Sequence, residues 1–351
     1  MPRGVVMKRA PGIMELWRGQ VGGYITGLSW SPDGGRIVLS TAEGDLAVID
    51  AASGHMQHTI RAHRIGIMDV QWSPRAPVIV SAGQDGYVRM WDPGALQLMK
   101  ECAAGGAWVE HLAWSPTGEY LATAAGKHLR IWTQDGVLVQ TSGSHESTIS
   151  AVAWSGSGNE VATACYPFVR LYHHGTNVPY SELECGTLPL SLAWNPNGSS
   201  ICAGTHDASV RFWMLPNVAG EDIEMSGFPG KVTLTRYDPA GRFLAVGGGD
   251  VILIWPVSGA GPHGRKPLVL AGHGQRVTAL QYQRVGQVLA SGDGEGSVML
   301  WDHPRDHSPR GLKKVLGDVV HLAWSEDDTK LAIGTSAGEI VMLKPEVTGQ
   351  E

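Results

Sequence analysis

What this sequence has little of narrows it first. Only 17% of its 351 residues are charged, with 27 basic against 33 acidic and a net charge of −6. Basic runs stop at short pieces such as "HGRKP" and "LKK", which argues against nucleic-acid or anionic-membrane partners held by bulk charge. No stretch approaches the roughly 18–20 apolar residues of a membrane span. The start, "MPRGVVMKRAPGIMEL", has no apolar core of signal-peptide length. Cysteine is scarce: Cys102, Cys165, Cys185 and Cys202 lie far apart with no C-x-x-C. Free thiols in a soluble cytoplasmic protein are expected, and an extracellular or envelope protein is disfavoured. Segments of helical period 10–12 residues long are missing too, which leaves an all-β chain. Phenylalanine occurs 4 times against 13 tryptophans, an imbalance that asks for a structural cause.

What is present is repetition. An aromatic ends an "xLxW"-like phrase at Trp30, Trp72, Trp114, Trp154, Trp194, Tyr237, Tyr282 and Trp324, at intervals of 40 to 45 residues. Each unit repeats one grammar. A short apolar strand ends in the aromatic, and a turn such as "SPDG", "SPTG", "NPNG" or "DPAG" follows. A second strand is rich in small residues ("YLATAA", "EVATAC", "VLASGD"). A polar hairpin leads to a third strand ending in another aromatic ("YVRMW", "SVRFW", "VILIW"), and a less regular fourth strand closes the unit. Eleven tryptophans occupy the two aromatic slots. A flat ring fills the space between twisted sheets, so the tryptophan excess reads as structural. Four-stranded units that cannot bury both faces alone predict radial stacking.

In these turns, in "WD" at Trp91-Asp92 and Trp301-Asp302, and in "AH" and "GH" at His63 and His273, the sequence resembles the WD40 family over about residues 13–345. The resemblance implies a single closed β-propeller of four-stranded blades, strands a to d from the inside out. Residues 1–12 and 346–351 would be tails. It also implies a hydrogen-bonded structural set in some blades: His63, Ser81, Asp85 and Trp91 in blade 2, and His273, Ser291, Glu295 and Trp301 in blade 7, with Glu295 in place of Asp. Blade 4 has Tyr172 for Trp, and blade 5 has Asp207 and Trp213 without the His, so these blades are expected to lean on apolar packing. The count gives eight blades, with "IMELW" at Ile13–Trp17 as the outermost strand of the last one. Seven is the alternative if the unit around Tyr237 or Tyr282 is not a true blade.

Motifs of catalysis fall away on context. "GTSAG" at Gly334–Gly338 fits a nucleophile elbow but lies in a strand–strand hairpin, where no helix follows. "GAGPHG" at Gly259–Gly264 fits a phosphate loop but reads as a loop between blades 6 and 7. No His or Cys spacing matches a metal site, and no cofactor is implied; His206 and Cys165 offer at most two ligands on adjacent blades. An enzyme is not expected.

Function is therefore expected in residues that differ from blade to blade. In the family, partners use the face carrying the d–a loops and b–c hairpins, here called the top. The matching positions of distinct chemistry are Met68, Asp69, Trp108, Glu110, His111, Lys127, Tyr166, His206 and His321. Trp108 and Trp17 are the two tryptophans outside the repeat slots. Trp108 with Tyr166, rimmed by charge, resembles a protein-binding hot spot; the alternative is a lid folded onto blade 3. The expectation is a scaffold for one or more proteins or peptides, monomeric within a complex. A small-molecule or metal site in the axial channel or a top-face pocket is the alternative.

Overall fold

The computed structural model describes residues 12–106, 108–216, 222–303 and 307–346. All but one residue of each expected tail lies outside the described residues. Every regular element among the described residues is a strand, and the strands form eight separate four-stranded antiparallel sheets. Blade 1 is typical: strands a to d are Ile25–Trp30, Arg36–Thr41, Asp45–Asp50 and Met56–Arg61. The units around Tyr237 and Tyr282 are full blades, so the ring has eight.

Blade 8 takes three strands from Val319–Trp324, Leu331–Thr335 and Glu339–Pro345, and its outer strand from Ile13–Gln20. The register runs from Ile13 opposite Pro345 to Gln20 opposite Glu339. This exchange leaves no open end in the ring. Trp17 clamps it to blade 1, donating its Nε1–H to the Ala51 carbonyl at 3.0 Å.

The repeated phrase explains the local geometry. In "SPDG", the Ser31 amide donates to the Arg36 carbonyl and Gly34 adopts φ +67°, which a side chain would strain. Asp33 Oδ1 accepts from the Ser31 hydroxyl at 2.5 Å and the Gly35 amide at 3.0 Å. The aromatic before the turn does the stitching. Trp30, Trp154, Trp194 and Trp324 each donate Nε1–H to an inner-strand carbonyl of the preceding blade: Ala323, Ala113, Ala153 and Gln281, at 2.8 to 3.1 Å. The tryptophan excess therefore serves both packing and closure. Strand b is buried along most of its length, and apolar clusters run from one blade into the next; one joins Ala164, Leu192 and Trp213. The loop Gly259–Gly264 joins strands c and d within blade 6 (Val251–Pro256 and Leu268–Ala271) rather than linking blades 6 and 7.

Candidate functional site: the top face and axial channel

Three buried polar networks fix the top loops. In blade 2, His63 Nδ1 meets Asp85 Oδ1 at 2.9 Å, His63 Nε2 meets Ser81 Oγ at 2.8 Å, and Trp91 Nε1–H donates to Ser81 Oγ at 2.9 Å. In blade 7 the carboxylate is Asp293, not Glu295: Asp293 Oδ2 lies 2.8 Å from His273 Nδ1. Ser291 Oγ sits 2.6 Å from His273 Nε2 and accepts from Trp301 at 2.7 Å. Glu295 instead accepts from Gln275 at 3.1 Å. The cause is a two-residue change of launch point. Asp85 stands four residues after Ser81, and at Gly83 a Cβ would lie 2.0 Å from His63 Nδ1. In blade 7 the position equivalent to Gly83 is Asp293, whose side chain reaches the imidazole directly.

Blade 4, expected to lean on apolar packing, also carries a polar network. His145 Nε2 meets Thr163 Oγ1 at 2.9 Å and the Tyr172 hydroxyl at 3.2 Å, and His145 Nδ1 donates to the Lys127 carbonyl at 2.9 Å. The signal was present, because His145 precedes Thr163 by the 18 residues that separate His63 from Ser81 and His273 from Ser291. Burial pushes all three imidazoles below the ordinary histidine range, with Asp85 and Asp293 opposing at His63 and His273.

The blade 4 network anchors one end of a ledge that runs across blades 3 to 5, through His145 and the Lys127 carbonyl. The hairpin at Lys127 is tied to the loop entering blade 4 through Lys127 Nζ to the Glu146 carbonyl at 2.9 Å. That loop is tied to the next hairpin through the Tyr166 amide to Ser147 Oγ at 2.8 Å. Trp108 immediately precedes strand a of blade 3 (Val109–Trp114), whose Val109 pairs with Ala125 beside Lys127. Trp108 is 53% exposed and Tyr166 50% exposed, so each presents a large part of its ring to solvent. His206 is exposed on blade 5, its amide donating to the Leu188 carbonyl. Glu110 and His111 are half-buried, and burial raises the first and lowers the second.

The ledge continues around the face. Tyr24, Ile65, Leu188 and Leu316, all exposed, lie in d–a loops of blades 1, 2, 5 and 8. Sequence reasoning missed these four because single apolar residues in loops carry no motif.

Met68, Asp69 and His321 belong elsewhere. Met68 and His321 line a cavity of about 470 Å³ at the upper mouth of the channel, with Tyr24, Thr26, Arg276 and Asp318. Asp69 and His321 line a second of about 310 Å³ on the inner strands below it. Burial drives the Asp69 carboxyl up to about 7 and the His321 imidazole down to about 4.

The geometry defines a class: a closed eight-bladed propeller with a rigid, loop-bearing top face and a polar channel. Comparison with known proteins agrees. The family model "WD domain, G-beta repeat" matches residues 98–133, 136–173, 181–214 and 264–302. The model "Anaphase-promoting complex subunit 4 WD40 domain" matches residues 4–75. The chain belongs to the WD40-repeat family. Curated relatives include eukaryotic translation initiation factor 3 subunit I of Bombyx mori, 24% identical over 53% of this chain and 49% of that protein. Protein transport protein sec13 of Aspergillus fumigatus is 26% identical over 53% of this chain and 58% of that protein. The chain thus spans about half the length of the curated relatives it matches. Among solved structures, the computationally designed Ika8 protein superposes with a TM-score of 0.81 at 20% identity, covering 94% of this chain and 99% of that one, a likeness of fold alone. Among the described residues no helix is long and apolar enough to cross a membrane.

Proposed function

We propose that this chain is a non-enzymatic scaffold whose top face holds one or more protein or peptide partners. Residues 13–345 act as a single domain, flanked by tails at 1–12 and 346–351. The observation that carries this reading is the set of large apolar side chains exposed to solvent from top-face loops of a ring whose hairpins are tied by hydrogen bonds. Trp108 and Tyr166 are the anchors, Lys127 and His206 supply polar rim contacts, and Glu110 and His111 back them at the start of the inner strand. Rigid aromatics lose little entropy on binding, which suits them to this role. Two of the matched proteins or models are named as subunits of larger assemblies, which supports a propeller working as one member of a complex. The compartment consistent with the free cysteines is the cytoplasm.

The test is quantitative affinity capture from native extract with wild type, Trp108→Ala and Tyr166→Ala. The expected result is one set of partners lost from both variants while their melting temperatures stay within a few degrees of wild type. Normal capture by both variants would sink the proposed patch.

A further inference from the structure

The channel wall carries a carboxylate without a counter-charge. Asp69 accepts from the Val70 amide at 2.8 Å and from Gln71 Nε2 at 3.3 Å. The Leu112 backbone of blade 3 also hydrogen-bonds it, so its partners among the described residues are all neutral and none of them is a cation. Part of its surface still opens onto the lower cavity.

The other charged and titratable groups around the channel do not supply the missing partner. His321 on blade 8 borders both cavities and is held neutral by burial. His111, in the same slot of blade 3 as Asp69, is lowered by burial too. Arg236 belongs to blade 6, across an eight-blade ring from blade 2. At the lower mouth Arg284 is paired with Glu326 at 2.9 Å. At the upper mouth Arg276 is held by Thr233 Oγ1 at 2.8 Å, and Asp318 and Tyr24 stand nearby.

We infer that the channel binds a linear primary ammonium, its nitrogen on the Asp69 carboxylate and its carbon chain rising past Met68 and Val320 to the top face. Between them the two Asp69 oxygens already accept three N–H groups, which spoils the parallel two-bond geometry a guanidinium prefers but still leaves a lone pair for a compact, rotatable ammonium. Leu28 and Leu322 of the lower cavity, with Met68 and Val320 of the upper, give methylenes an apolar wall. Neutral His321 between the two cavities does not repel the cation. At the upper mouth Asp318 can meet a second ammonium. The source is either a free diamine or the lysine side chain of a protein on the top face.

The test is calorimetric titration of the full chain with 1,4-diaminobutane and with Nα-acetyl-lysine methylamide, at about pH 8 and about pH 6. Binding is expected at the higher pH. It should weaken about tenfold at the lower, because a carboxyl pushed up to about 7 is then mostly protonated. Asp69→Asn should remove binding, and Arg61→Gln, on the outer strand of blade 1, should leave it intact. A free ligand predicts tighter binding of the diamine; a partner's lysine predicts the reverse. No binding of either probe by wild type at about pH 8, a flat pH response, or equal binding by Asp69→Asn would overturn the inference.

Discussion

Asp293→Ala isolates what holds the top loops. Asp293 is fully buried, with Oδ2 on His273 and Oδ1 accepting the Ser297 amide at 2.8 Å and the Glu295 amide at 3.0 Å. Truncation leaves the His273 ring N–H and the buried Ser297 amide without an acceptor. Each orphaned buried donor costs about 1–3 kcal/mol, so the variant should lose about 3 kcal/mol. Glu295→Ala, which removes the carboxylate that sequence position favours, should stay within about 0.5 kcal/mol of wild type. The assay is urea unfolding followed by tryptophan fluorescence, with a lower midpoint and an unchanged slope marking a true stability loss. Adding His273→Ala to Asp293→Ala should cost less than the sum of the two, because the orphaned imidazole is gone. If Glu295→Ala proved the more damaging single change, the assignment of the carboxylate would be wrong.

Other expectations follow from the same contacts. Acid should loosen the top loops. The folded pKa values of His63, His145 and His273 lie below the unfolded value of about 6.5, so the stability their neutral forms provide is complete above that pH and falls away below it. Hydrogen exchange in those loops should therefore accelerate as pH falls from about 7 to about 5, and constant protection would refute this. Asp69 has the opposite sign: its raised pKa is a penalty absent below about 3.8 and complete above about 7. Asp69→Asn should thus raise the unfolding midpoint at about pH 8 and not at about pH 3.5. Gly54→Ala should destabilise the closure, because its Cβ would lie 2.7 Å from the Trp17 ring at φ +73°; a neutral melting temperature would contradict the clamp. Asp328→Ala should cost about 1–2 kcal/mol, since Asp328 receives the amides of Arg284, Val285 and Gly286 across the blade 7–8 boundary. An unchanged urea midpoint would argue against it.

The ring was legible in the sequence because its determinants are local and repeated: the aromatic slot, the Pro-Gly turn, and an unmatched strand at Ile13–Trp17 that needed a blade. The polar networks were half legible. His63 and its partners follow the common spacing, but Asp293 replaces a glycine, so a fixed offset pointed to Glu295. His145 was less legible because Tyr172 replaces the tryptophan of the usual set, although His145 stands the same 18 residues before Thr163. The channel was the least legible part. Asp69, Met68 and His321 share repeat positions with top-face residues, and only the closed ring shows that their side chains border the axis instead.

The measurement that bears most directly on the scaffold reading is hydrogen–deuterium exchange of the chain with and without its captured partner. The account predicts new protection concentrated in the loops around Trp108, Ser147 and Tyr166, with the outer strands unchanged. Protection confined to the rim, for example at the exposed Val137, Leu138 and Val139 of blade 3, with those loops still exchanging freely, would contradict it.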